Sequence, residues 1–204
     1  MKYLLVIMAI VAMSAAPAFA NNLLLIPTGN TLSTGQFRAE AALSPDNTAG
    51  RYYWFGTGLQ QLEVNLIRYE KHSGEDENLI GLQWSFLPET MLTPGISFGA
   101  RDIAMQSAEG IGVYAAISKH LPIGKMSPVL KDLSVTAGIG AAGIRGPFFG
   151  FEASLPYRLF AEGEYDSRDF NGAVGWQPSE HFRLKAYAIR REFYLGAELV
   201  PAAF

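Results

Sequence analysis

The chain has no cysteine in 204 residues, few charged residues and no basic surplus, and each shortage removes a class of function. Without cysteine there is no disulfide scaffold, no thiolate zinc site, no cysteine nucleophile and no lipid anchor through an N-terminal cysteine. Charged residues make up 17%, below the quarter or so typical of soluble domains, while hydrophobic residues reach 49%. Sixteen basic residues stand against 19 acidic ones, for a formal charge of −3. A chain of that balance lacks the basic face that neutralises phosphates, so nucleic acid is not an expected partner. Long apolar runs are missing after Ala20, so any membrane span beyond it must be built from strands.

What is present begins with an address. Lys2 supplies a positive start, Leu4 to Met13 form an unbroken apolar stretch, and Ala18-Phe19-Ala20 places small residues where a signal peptidase cuts. This pattern predicts a secretory signal peptide over residues 1–20, cleaved after Ala20, and therefore an exported protein. Residues 21–34 lack alternation and form an N-terminal extended segment, expected to fold into a lumen as a small plug or to pack at its mouth. Residues 35–204 are expected to form one domain.

In that domain apolar residues recur at every second position. Ile80, Leu82, Trp84 and Phe86 point one way, with Gly81, Gln83 and Ser85 the other. Phe37, Ala39, Ala41 and Leu43 likewise oppose Arg38, Glu40 and Ala42, and Leu133, Val135, Ala137 and Ile139 oppose Ser134, Thr136, Gly138 and Gly140. Turn chemistry at Ser44-Pro45-Asp46-Asn47, at His72 to Asn78, at Leu87-Pro88, at Arg145-Gly146-Pro147, at Asp166 to Asp169 and at Gln177 to Glu180 separates the runs. About twelve strands result, within a range of 10–14. Residues 182–199 lack Gly, Asn or Pro at Arg190-Arg191 and read as either a hairpin or one long bent strand. Lys119 to Asp132 is the longest break, and its expected position beside the termini points to a miscounted strand in preference to a real contact loop.

Many short alternating strands fit a soluble sandwich, a soluble barrel or a transmembrane barrel. The polar face is rich in glycine, serine and glutamate and poor in lysine, which suits a small ion-paired lumen. The other face carries Phe, Leu, Val, Ile and Ala, with Tyr52, Tyr53, Trp54, Trp84 and Trp176 near strand ends as an aromatic girdle, and Phe204 closes the chain. The fold expected is all-β: an antiparallel up-and-down transmembrane β-barrel in the outer membrane, with outer-membrane lipid as its first partner.

Several segments in order resemble a known family: Leu25-Ile26-Pro27-Thr28-Gly29-Asn30, Phe55-Gly56-Thr57-Gly58-Leu59, Leu87-Pro88-Glu89-Thr90, Gly99-Ala100-Arg101-Asp102-Ile103, Gly150-Phe151-Glu152, and Ala161 to Asp166 with Asp169-Phe170-Asn171. Their succession resembles the YjbH-like outer-membrane β-barrel proteins, associated with exopolysaccharide biosynthesis. Members of that family are commonly longer, so this chain looks like a single short unit. The resemblance implies an outer-membrane location, a part in extracellular polysaccharide production or export, and polysaccharide or envelope export proteins as partners.

The strongest local feature is a charged set on the polar face: Arg38, Glu40, Glu63, Arg101, Glu152, Glu162, Glu164, Arg183, Lys185, Glu192 and Glu198. Such groups either pair across a narrow lumen or line a polar path or saccharide site. Glu152, Glu162 and Glu164 also offer the paired carboxylates of a glycosidase, a weak signal in a chain with this many carboxylates. Asp102 and Asp166 stand at strand ends, where Asp forms turns, and a ligand-binding rim is the functional alternative. The loop Ser73 to Asn78 lacks the spaced ligands of a calcium site. His72, His120 and His181 are too scattered for zinc, and the consecutive Ser179-Glu180-His181 cannot face one another as a triad. No catalytic residue, metal or cofactor is expected.

Overall fold

The computed structural model describes residues 22–45, 50–71, 75–123, 127 and 129–200. The expected leader with its cleavage after Ala20, the residues Asp46, Asn47, His72, Ser73 and Gly74, and the terminal Phe204 lie outside the described residues. Among the described residues twelve strands follow one another. They are β1 Phe37–Leu43, β2 Arg51–Leu59, β3 Leu62–Glu70, β4 Glu77–Leu87, β5 Gly95–Arg101 and β6 Gly112–Leu121. The second half continues with β7 Asp132–Ala142, β8 Gly146–Ser154, β9 Leu159–Tyr165, β10 Phe170–Ser179, β11 Phe182–Ile189 and β12 Glu192–Leu199. Each strand pairs antiparallel with the next, and β1 pairs with β12, so the sheet closes into a barrel without an open edge.

The alternation drives this result. In β2, Tyr52, Trp54, Gly56 and Gly58 turn inward while Tyr53, Phe55 and Leu59 stay exposed outside. In β4, Leu79, Gly81, Gln83 and Ser85 face in, whereas Leu82, Trp84 and Phe86 face out, and the Phe86 ring meets those of Trp84 and Phe98 edge to face. The apolar exterior is continuous around the barrel, from Leu66 on β3 through Ile139 on β7 to Val174 on β10 and Leu195 on β12. The polarity is inverted relative to a soluble barrel, whose apolar face is hidden inside. The girdle expectation needs correction at two residues. Tyr52 and Trp54 are buried in the lumen, since their positions have the parity of Gly56 and Gly58, and only Tyr53, Trp84 and Trp176 of that set face outward.

The turns explain the strand count. Arg190 and Arg191 both adopt positive φ, 49° and 69°, which is the type I′ geometry that joins β11 to β12 as a tight hairpin. The one-bent-strand reading is therefore excluded, and two arginines occupy positions where Asn-Gly is usual. Gln177-Pro178-Ser179 was expected to end a strand, but β10 continues through Ser179 because Pro178 sits in a bulge between Trp176 and Ser179, where no ladder hydrogen bond is needed. Lys119, His120 and Leu121 belong to β6, so the long break shrinks to residues 122–131. With twelve strands it still falls at the end where β1 begins and β12 finishes. No strand was miscounted, and the connection is a real feature of that end.

Candidate functional site

The lumen is occupied by the chain's own N-terminal segment. Asn22 and Pro27 form an antiparallel bridge, and the Leu23 N–H donates to the Ile26 carbonyl, so the segment turns back on itself at its start. The Glu164 carboxylate on β9 accepts from the consecutive N–H groups of Leu24, Leu25 and Ile26 at 3.0–3.2 Å, and from the Asn171 side-chain amide. A carboxylate held by three backbone donors satisfies buried N–H groups that would otherwise lack a partner. Further along, the Gln83 amide donates to the carbonyls of Thr28 and Asn30, Ser97 Oγ donates to the Thr28 carbonyl at 2.7 Å, and the Gly29 N–H donates to Ser118 Oγ at 2.7 Å. Glu63 accepts from the Leu32 N–H at 2.9 Å.

Contact with the wall is backbone against backbone. A Cβ on Gly29 would collide with the Gly95 carbonyl, and one on Gly58 with the carbonyls of Leu32 and Ser33, so glycine is required on both surfaces. Leu23, Leu24, Leu25, Ile26 and Leu32 are all buried, each contributing about 1.5–3 kcal/mol of apolar transfer. Leu24 and Leu32 join Tyr52, Trp54, Ile67 and Tyr187 in one cluster, and Leu23 and Ile26 join Tyr114, Ile144 and Phe148 in another.

Beside this segment lies a charge cluster. Arg38 on β1 reaches Glu198 on β12 at 2.5 Å and Glu40 at 3.2 Å, donates to the Asn22 carbonyl at 2.8 Å, and lies 5.0 Å over the Trp54 ring. Lys185 on β11 lies 2.7 Å from Glu198, 3.3 Å from Glu162 and 3.6 Å from Glu40. Arg183 reaches Glu152 at 2.8 Å and Glu162 at 3.8 Å, and the Tyr187 hydroxyl donates to Glu40. Four carboxylates and three cations thus interlock across β1, β8, β9, β11 and β12, with the Arg38 side chain 1% exposed and Lys185 fully enclosed. Charges so far from water persist only because each meets an opposite partner, and all but Glu152 meet two or more.

A cavity of about 520 Å³ opens at the opposite end from the start of β1 and the end of β12, between the connections β3–β4, β5–β6, β7–β8 and β11–β12. Leu25 of the inserted segment and Arg101 help to line it, and Arg101 Nη1 donates to the Leu25 carbonyl at 3.0 Å. Tyr69, Tyr194, Arg190 and Glu192 belong to its walls.

The sequence-derived residues divide among these three places. Arg38, Glu40, Glu152, Glu162, Arg183 and Lys185 come together in the cluster. Glu63 and Glu164 instead hold the inserted segment, and Arg101 joins it to the cavity. Asp102 and Asp166 shape turns. Asp102 accepts from the N–H groups of Gln106 and Ser107 and from Ser107 Oγ, and Asp166 Oδ1 accepts from those of Arg168 and Asp169. Glu192 lies at the mouth, bonded by the Tyr194 hydroxyl. Glu152, Glu162 and Glu164 do not line the cavity, so the carboxylates considered for glycoside chemistry are bound up in ion pairs and backbone contacts. Gln83, Ser97, Ser118 and Asn171 escaped sequence reasoning because uncharged polar residues are routine on an inward face, and the one available signal was the polarity of that face.

Burial raises the Asp102 carboxyl, but the Ser107 hydroxyl, the two backbone donors and neighbouring Arg101 outweigh it and hold the group below its ordinary 3.8. Because the folded value is the lower one, the stabilisation is complete above the unfolded value and is lost as pH falls through the depressed folded one. Protection of the Gln106 and Ser107 amides, taken relative to an unstructured amide at the same pH, is therefore expected to hold at pH 5 and to fall only below about pH 3.8. Protection already lost at pH 5 would contradict this account. Compared with known proteins, the chain matches no family model and no curated protein.

Proposed function

We propose that this chain is an outer-membrane barrel with a closed lumen, serving at its mouth as an accessory component of surface polysaccharide production or export. The observation that carries the membrane reading is the inverted polarity: bulky apolar side chains all round the outside, and charged side chains with the chain's own N-terminal segment inside. A closed barrel is also the β architecture that satisfies every backbone group in hydrocarbon. The enclosed segment supports an anchor or binding role and opposes a conduit. The polysaccharide part rests on the resemblance to YjbH-like proteins. The buried engagement of Glu152, Glu162 and Glu164 supports a role without catalysis.

Val174, in the middle of β10 and 62% exposed, discriminates the environments. Val174→Arg is expected to cost about 2–4 kcal/mol of unfolding stability in lipid vesicles, the cost of a cation on a lipid face near the midplane. The same change on a water-exposed strand would stay within about 0.5 kcal/mol, and that result would refute membrane embedding. Deleting the gene and measuring secreted polysaccharide tests the remainder: normal secretion would overturn the accessory role.

A further inference from the structure

We propose that the mouth cavity is a binding site for a carboxylated sugar of the hexuronate class, with Arg101 as its anion-binding group. This deepens the reading of the mouth as the working face, and its test is independent of any secretion phenotype.

The charge accounting of the cavity singles out Arg101. Three of its carboxylates are matched by cations: Glu70 lies against Arg51 and Arg68, Glu77 against Lys71, and Glu109 against Arg168, while Glu192 meets no cation among the described residues and accepts from the Tyr194 hydroxyl. Both oxygens of Asp102 are taken up by the turn that it caps. Arg101 forms no ion pair among the described residues, and its single hydrogen bond goes to a backbone carbonyl. A guanidinium has five N–H donors in a fixed fork suited to a carboxylate, so most of this donor set is left for a ligand. Tyr69 and Tyr194, half-buried against the lumen cluster, also line the cavity and offer the exposed part of their rings to a sugar. The volume falls within the range of about 300–1,000 Å³ found for small-molecule sites and accommodates a mono- or disaccharide. Carboxylate recognition by Arg101 and ring contact with tyrosine together select an acidic sugar over a neutral one.

The test is calorimetric titration of the full-length protein, purified in detergent at low ionic strength, with glucuronate, a glucuronate oligomer, glucose and glucose 6-phosphate. Glucuronate is expected to bind about tenfold or more tightly than glucose, the margin of a charged hydrogen-bonded pair. Arg101→Gln should abolish that preference, and Arg101→Lys should retain part of it. Because Arg101 also holds the Leu25 carbonyl, Tyr194→Ala provides a second variant that keeps Arg101 and its bond to Leu25 in place. It is expected to weaken glucuronate and glucose alike several-fold while the preference for glucuronate persists. Tighter binding of the oligomer than of the monomer assigns the site to polymer ends, and equal binding assigns it to the free sugar. Equal affinity for glucuronate and glucose, a preference that survives in Arg101→Gln, or tightest binding of glucose 6-phosphate would each overturn the uronate assignment.

Discussion

Lys185→Met is expected to cost the barrel about 3–5 kcal/mol of unfolding stability, the penalty for removing one partner from a buried ionic network. Lys185 is fully enclosed and touches three carboxylates, on Glu198, Glu162 and Glu40. Methionine preserves most of the volume and leaves four carboxylates facing only Arg38 and Arg183. The loss is thus electrostatic and not a packing defect. Pairing the change with Glu162→Gln removes one of the stranded charges and should recover a large part of the loss, with a coupling above about 1 kcal/mol for groups in direct contact. Urea unfolding in lipid vesicles measures both, read from the midpoint at constant slope. An unchanged midpoint for the single variant would show that water reaches the cluster and that the lumen is not sealed.

Removing residues 22–34 is expected to convert an electrically silent barrel into one that passes discrete current steps in a planar bilayer. The segment fills the lumen by direct contact with the wall, and its withdrawal strips Glu164, Glu63, Gln83 and Ser97 of the partners it supplies, leaving, among the described residues, Glu164 only Asn171 and Gln83 only Tyr114. Polar groups left in that way recruit water, and a hydrated, charged path conducts. Glu164→Gln should give an intermediate result: the loop at Leu24 to Ile26 loses its charge-assisted hydrogen bonds, about 1.5–3 kcal/mol, and flickers open without leaving. A deletion variant as silent as the parent would mean that the wall's own Trp54, Tyr187 and Phe148 close the lumen unaided.

The barrel was largely legible because alternation has a period of two and each face has one chemistry, so Ile80 to Phe86 declares both a strand and its orientation. Parity also carried Arg38, Glu40, Glu152, Glu162, Arg183 and Lys185 onto the inward face. Their mutual partners were not legible, since which side chains meet across a lumen depends on strand tilt and register around the whole circumference. Tyr52 and Trp54 misled for a related reason: aromatic rings fit a girdle or a lumen equally well, and only the neighbouring glycines decide. The hairpin at Arg190-Arg191 hid because positive φ is usually advertised by Gly or Asn. Occupation of the lumen by residues 22–34 was one of two readings, and what decided it is a set of contacts made by Glu164, Glu63, Gln83, Ser97 and Ser118 that no local pattern announces.

The bond between Arg38 and Glu198 joins the first strand to the last. A nascent polypeptide that has emerged as far as β11 therefore has two unpaired borders and a guanidinium with half its counterions missing. Such an intermediate is sticky, and it cannot settle until the final eight-residue strand arrives. Truncation before β12 or delay in its pairing is thus expected to leave aggregates and not a smaller ring. The Arg38–Glu198 contact acts as a latch that closes only when β12 has come to lie beside β1.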